Sequence, residues 1–212
     1  MKRLALIGSR EFAQQVRQFA LDAGGFEVVG YFDDFEPKGT VVNGLPILGQ
    51  MNDIEDEFSK NSFDQLFFAA GYNNFRFRED TFARFKGKIP FANIIMPSVV
   101  LCPGVQLGEG IFIGDATCIG PNSKIEDNVF VHGLSYISHD NVIGAHSYIA
   151  GRCDTAGMVQ IGRRNFIGIR VTVSDHVTLC DDVWIGLACV VGKSIKEPGK
   201  YMSPAAKLYK IE

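Results

Sequence analysis

The 212-residue chain has little that would tie it to a membrane, to nucleic acid or to an oxidising compartment. No apolar run approaches the ~20 residues of a membrane helix. The opening Met1-Lys2-Arg3 is basic, but the apolar stretch after it, Leu4–Ile7, is shorter than the ~7–15 residues of a secretory leader. Neither charge sign dominates: 21 basic against 24 acidic residues leave a net charge of -3, which gives no field for nucleic acid. The five cysteines contain no Cys-x-x-Cys pair and no zinc spacing, so neither a metal knuckle nor a disulfide framework is expected. These absences read as a soluble, cytoplasmic chain without a membrane span. Tryptophan occurs once. Phenylalanine occurs 17 times but is nearly missing from the second half, where only Phe112, Phe130 and Phe166 follow Phe91. All five cysteines (102, 118, 153, 180, 189) lie in that phenylalanine-poor part, and a single uniform core would not sort residues in this way.

What the second half does have is a period. Stepping by six from Ile95 to Val191 meets Ile, Leu or Val at every position except Thr155. The residue after each is usually small, which is expected to let the chain bend at a corner, and the residue four after is small or β-branched. Neither a 3.6- nor a 2-residue period produces this pattern. A hexapeptide repeat does: each hexad gives a short strand and a turn, and three make one triangular coil of a parallel β-helix. The aliphatic side chain points into the bore and stacks on its equivalent 18 residues away. Such a bore has little width for benzyl rings, whereas Cys102 and Cys180 at corners, and Cys153 and Cys189 four after the aliphatic, fit as small hydrophobes.

The first half reads as α/β. Strands are expected at Arg3–Ile7, Glu27–Phe32 and Gln65–Ala70, and helices at Glu11–Ala23 and Asn74–Lys86, in the alternation of a parallel sheet. The division is expected at residues 1–88 and 89–212. Ligands of such sheets sit beyond the strand C-termini, here Gly8-Ser9-Arg10, Asp33-Asp34 and Gly71-Tyr72-Asn73. Two readings stand for these residues. They turn and cap the chain, or they hold a small nucleotide or nucleotide-sugar, with an anion at the helix start after Gly8. The full Gly-x-Gly-x-x-Gly dinucleotide set is absent.

Three motifs, Tyr31-Phe32-Asp33-Asp34, Gly44-Leu45-Pro46-Ile47-Leu48-Gly49 and Gly71-Tyr72-Asn73-Asn74-Phe75-Arg76, together with the hexapeptide array, carry a resemblance over essentially the whole chain. The sequence resembles the bacterial nucleotide-sugar acetyltransferases that act on 4-amino-4,6-dideoxy sugars (the bacillosamine and perosamine type), a family that includes sialic acid O-acetyltransferase-like proteins. The resemblance implies a Rossmann-like α/β domain followed by a left-handed parallel β-helix. It implies acetyl-CoA as co-substrate and a nucleotide-activated amino sugar as acceptor, held by Gly8, Ser9, Arg10, Asp33, Asp34, Gly71, Asn73 and Arg76. It also implies a homotrimer with the site between neighbouring β-helices. One departure lies after the Gly turn, where Phe12-Ala13 replaces the His-Gly or Phe-Gly of many members.

By the same resemblance, His139 in Ile137-Ser138-His139-Asp140-Asn141-Val142-Ile143-Gly144 is the general base and Asp140 its partner. The residue chemistry agrees. An imidazole can accept a proton near neutral pH, and a carboxylate can fix its tautomer. His139 is two after the bore residue Ile137 and points outward. One coil on lies Gly157, in the coil whose bore residue is Thr155. Gly157 either makes room for a thioester and offers it a backbone N–H, or only serves a tight corner. Coenzyme A would then run along the column Gly157, Asp175, Lys193, with Lys193, Lys196 and Lys207 as cations for its phosphates or as a solvated end. Relatives often carry a second histidine nine residues after the base, where this chain has Tyr148. No metal site is expected: His132, His139 and His146 are spaced by seven and drift around the coil instead of stacking as the zinc ligands of a γ-type carbonic anhydrase would. The nucleotide (UDP, GDP or dTDP), the sugar and the choice between N- and O-acetylation stay open.

Overall fold

The structure is a computed structural model that describes residues 1–70 and 74–204. The N-terminal unit is a five-stranded sheet. Strands β1 (Lys2–Ile7), β2 (Phe26–Phe32), β4 (Leu45–Gly49) and β5 (Gln65–Phe68) are mutually parallel in the order β4-β2-β1-β5, and β3 (Val41–Val42) pairs antiparallel on the edge of β4. Helices α1 (Glu11–Ala23) and α3 (Phe75–Phe85) form where helical spacing is expected. Period-2 alternation splits β1 between two cores. Leu4 and Leu6 pack with Ala13, Val16 and Ala20 of α1, while Ala5 and Ile7 pack with Phe32, Phe63, Phe82 and Phe85 on the other face. The β3–β4 hairpin and the short helix α2 (Ile54–Ser59) were not expected from the sequence. Both are too short to show a period, and the hairpin turns at Asn43-Gly44, both with positive φ.

From Ile94 to Val191 the chain is a parallel β-helix of two- and three-residue strands, each paired with those 18 residues before and after it. Its three sheets contain, one strand from each, Tyr136–Ile137, Val142–Ile143 and Tyr148–Ile149. The hexad aliphatics fill the bore: Ile113, Ile119, Ile125, Val131, Ile137 and Ile143 are fully buried in one cluster. Thr155 is 4% exposed in the same column, and its hydroxyl accepts a hydrogen bond from the Ser138 N–H at 3.3 Å.

The small residue after each aliphatic has a different reason from the one expected. It does not make the bend. The bends are made three residues after the aliphatic, where φ is positive every six residues from Ala116 to Ala188, at side chains as large as Leu134, Arg152 and Met158. The glycines are needed because successive coils touch. A Cβ on Gly114, Gly120 or Gly144 would lie 2.4–2.6 Å from backbone atoms of the next coil. Buried Ser123, Ser135, Asn141, Ser147 and Asn165 line the corners and bond coil to coil, so these five side chains are partnered.

The three late phenylalanines lie outside the bore. Phe112, Phe130, Tyr148, Phe166 and Trp184 form one outward ladder on the sheet that contains Tyr148–Ile149, with neighbouring rings 3.9–5.8 Å apart. Its first rings receive the α/β unit: Phe19 stacks on Phe112 at 4.6 Å, and Phe12 and Phe67 meet Phe130 at 5.3 and 5.5 Å. Helix α1 is thus sandwiched between its own sheet and this β-helix face. The β5 edge of the α/β sheet is extended by Phe91, which bridges to Leu66 just before the first coil.

Candidate functional site

The α/β unit forms a cleft of about 200 Å³ at the C-terminal ends of β1, β2 and β5, and Gly8, Ser9, Arg10, Asp33 and Asp34 all line it. Gly8 turns the chain with φ +100, and a Cβ there would lie 3.2 Å from the Ala70 backbone nitrogen. The Ser9 N–H and hydroxyl both donate to Asp33 Oδ2, at 3.0 and 2.6 Å, and the Phe35 N–H donates to Oδ1 at 3.0 Å. Asp34 Oδ1 accepts from the Met51 N–H at 2.8 Å. Both carboxylates therefore shape the cleft first. Asp33 is 5% exposed with both oxygens engaged, whereas Asp34 is exposed. Arg10 precedes α1 without a side-chain cap on the helix and lies over the Phe35 ring at 5.2 Å, at the cleft edge. Helix α1 starts at Glu11 beside this cleft, and the free amides of a helix start suit an anion.

Arg76 is not brought to this cleft. Its guanidinium is largely exposed and meets Asp182 of the β-helix at 3.3 Å. The arginine of α3 that the fold buries is Arg78, two residues on, which donates to the Ala70 carbonyl on the cleft wall. Alternation along the helix start, Arg-Phe-Arg, hid this in the sequence. Gly71 and Asn73, like Lys207, lie outside the described residues.

His139 occupies the corner between the sheets of Tyr136–Ile137 and Val142–Ile143 and is exposed. This corner is opposite the sheet on which the α/β unit sits. His139 Nδ1 lies 2.7 Å from Asp140 Oδ2, and the Asn122 amide donates to Asp140 Oδ1 at 3.3 Å. Hydrogen bonds from His139 and then Asn122 hold the Asp140 carboxyl below its ordinary pKa. An ionised Asp140 accepts a hydrogen bond from the Nδ1–H and leaves the Nε2 lone pair free. That edge of the ring lies over Gly157: a Cβ there would be 2.5 Å from both Cε1 and Nε2. Among the described residues nothing accepts the Gly157 N–H, while its carbonyl accepts from His176.

Asn141 was missed by the sequence reading. It is fully buried, donates to the Ser138 and Ala156 carbonyls at 2.7 and 3.0 Å, and accepts the Val159 N–H at 2.8 Å. It braces the two corners that carry His139 and Gly157, and only its place in the hexad, four after Ile137, marks it. Asp175 continues the column, exposed, 3.9 Å from His176. Lys193 is exposed beside a cavity of about 620 Å³ at the C-terminal end of the β-helix, with Lys196 exposed nearby. His132 and His146 lie at other corners. Burial pushes both rings down to about pKa 4, and Tyr148 stacks in the aromatic ladder instead of standing beside His139.

This geometry has close parallels. Residues 3–79 match the PglD N-terminal domain family. PerB from Caulobacter crescentus, solved with CoA and GDP-perosamine, superposes with a TM-score of 0.84 at 27% identity, covering 99% of this chain and 98% of PerB. The chain resembles PerB from end to end. The acetyltransferase domain of PglB from Neisseria gonorrhoeae FA1090 has the same fold, with a TM-score of 0.82 at 24% identity, covering 98% of this chain and all of that domain. UDP-3-O-acylglucosamine N-acyltransferase of Bordetella avium is 39% identical over 80 residues, which is 38% of this chain and 22% of that protein. The chain thus matches less than a quarter of that curated relative's length. No helix among the described residues is long and apolar enough to cross a membrane.

Proposed function

We propose that the chain is an acetyl-CoA-dependent N-acetyltransferase acting on the 4-amino group of a nucleotide-linked 4-amino-4,6-dideoxy sugar, in the cytoplasm. The observation that carries this reading is the His139–Asp140 pair with its free Nε2 edge over Gly157. His139 Nε2 takes the proton of the amine as its nitrogen attacks the thioester carbonyl. Asp140 holds the Nδ1 proton and stabilises the imidazolium that forms. The Gly157 N–H donates to the carbonyl oxygen as negative charge develops, a type of contact worth ~2.7–4 kcal/mol in acyl transfer. His139 then returns the proton to the departing thiolate, giving the amide and free coenzyme A. Lys193 and Lys196 hold coenzyme A phosphates at the end of the column, past Asp175.

Residues 1–88 bind the nucleotide-sugar in the cleft of Ser9, Asp33 and Asp34, and residues 89–212 carry the chemistry on a coil of left-handed sense. The two sites lie on opposite sides of one β-helix, which supports a homotrimer in which His139 of one copy meets the cleft of another. Val100, Tyr136 and Val190, exposed on the sheet that runs into the His139 corner, offer an apolar face for that contact. PerB's bound GDP-perosamine supports the acceptor class, and the acylglucosamine relative supports a nucleotide-linked amine.

A panel assay tests the reading: acetyl-CoA with UDP-, GDP- and dTDP-linked 4-amino sugars and with free sialic acid. Acetylation of one nucleotide-linked amine is expected. Turnover of sialic acid alone would replace N- by O-acetylation, and turnover of none would end the assignment.

A further inference from the structure

Helix α3 carries a charged side chain that the reaction above does not use. Arg78 is 1% exposed, and no carboxylate meets its guanidinium among the described residues. Nη1 donates to the Ala70 carbonyl at 3.2 Å. Nη2 donates to the backbone carbonyl and to the side-chain Oδ1 of Asn128, at 3.1 and 2.7 Å. The Phe68 ring of the α/β unit and the Phe130 ring of the β-helix lie 4.9 and 5.1 Å from the guanidinium carbon. Nε has no partner. Burying a cation without a counter-ion is costly, so stability alone is a poor reason for an arginine here. What an apolar residue could not supply is the forked set of donors that joins residue 70 to residue 128.

Both ends of that fork are fixed. Asn128 sits in a β-helix corner, and with its Oδ1 turned to Arg78 its amide nitrogen faces His146 Nδ1 at 3.1 Å. Burial keeps that ring neutral, so Nδ1 can accept, and a flip of the amide would turn its nitrogen to Arg78 and lose that contact. At the other end, Ala70 lines the cleft and packs so closely on Gly8 that a single added carbon there would be 3.2–3.3 Å from its backbone. A shift of Ala70 is therefore passed to the Gly8-Ser9 turn and to Asp33 behind it.

We infer that Arg78 is a positioning residue, which holds the Ala70 wall of the nucleotide cleft in register with the β-helix, so that affinity for the nucleotide is set through the seam between the two units. This rests on the reading of the cleft as the nucleotide site. It is tested on the full chain with Arg78→Lys, and with Asn128→Gly, which removes Oδ1 from the far side of the seam at a position whose φ of +54 suits glycine. Binding of UDP, GDP, dTDP and coenzyme A is measured by calorimetry, and hydrogen exchange is followed in peptides covering Gly8–Ser9 and Phe68–Ala70. Each variant should weaken the best-bound nucleotide at least tenfold, change coenzyme A affinity less than twofold and speed exchange in both peptides. The double variant should be no weaker than the worse single one.

If Arg78→Lys fails to fold, Asn128→Gly decides alone. Unchanged nucleotide affinity and unchanged exchange in folded Asn128→Gly would overturn the inference, and so would an equal loss of coenzyme A affinity, which marks a general loss of order. If the wild-type chain binds none of the three nucleotides, the functional reading falls instead, and exchange at Gly8–Ser9 and Phe68–Ala70 alone decides whether Arg78 holds that wall.

Discussion

The two halves of this molecule solve burial differently. In the β-helix every coil repeats the same contacts, so Ile143 meets Ile125 and Ile161 in register, and the bore of each coil is closed by its neighbours. In the α/β unit, β1 must satisfy two different cores with alternate residues, and one of those cores is completed by Phe112, Phe130 and Tyr148 of the β-helix. The first half therefore depends on the second for part of its interior, while the bore is filled by the β-helix's own residues. A repeated local pattern tolerates an outward surface of almost any composition. The chain uses that freedom twice, for the aromatic ladder on one sheet and for the His139 corner opposite.

The sharpest way to separate shape from chemistry in the β-helix is His139→Ala. Because the side chain is half exposed, folding should be unaffected, with thermal unfolding unchanged, while turnover falls about 10²–10⁴-fold. Equal turnover would remove the catalytic role from that corner. Ile143→Ala probes the bore itself: loss of a fully buried side chain should cost about 2–5 kcal/mol in denaturant unfolding, and a cost below about 1 would mean that coils slide to close the gap. Gly157→Ala lies between these. The new methyl would strike the His139 ring, so kcat should fall about 10²-fold through displacement of the base, in a protein of near-normal stability.

The seam should be the acid-sensitive part. His132 and His146 have native pKa values depressed to about 4, so the fold prefers their neutral forms. Their contribution is whole above the unfolded pKa of about 6.5 and is lost as pH falls from there to about 4, at up to about 1.4 kcal/mol per pH unit for each ring. His132→Leu should flatten that part of the melting temperature's fall with pH, and an unchanged profile would place the acid sensitivity elsewhere. The smallest effect is expected at the surface of the α/β unit. Lys88→Ala removes an exposed pair with Glu55 and should change stability by less than about 0.5 kcal/mol.

Much of this was legible in the chain. The hexad register held without a break from Ile95 to Val191, α1 formed over Glu11–Ala23 as expected, and Ser9 and Asp33 came together in one cleft. What escaped was of two kinds. Elements without room for a period, such as α2 and β3, gave no signal. Residues whose partners are distant in sequence, such as Arg78 with Asn128 and Asn141 with Ala156, looked like ordinary polar positions. The resemblance pointed to Arg76, and a motif says nothing about whether that side chain or its neighbour Arg78 is buried.

The sequence by itself determined the coil length, the bore, the outward placement of His139 beside Asp140 and the α/β alternation, because each is a property of residues within one or two turns of each other. The tertiary structure decided which outward face receives the α/β unit, that the small residues after each bore aliphatic serve coil-to-coil contact while neighbouring residues make the bends, and that His139 Nε2 lies over Gly157. These are contacts between segments that the chain brings together only once the coils have stacked. Their strength depends on distances of a few tenths of an ångström that no spacing in the sequence records.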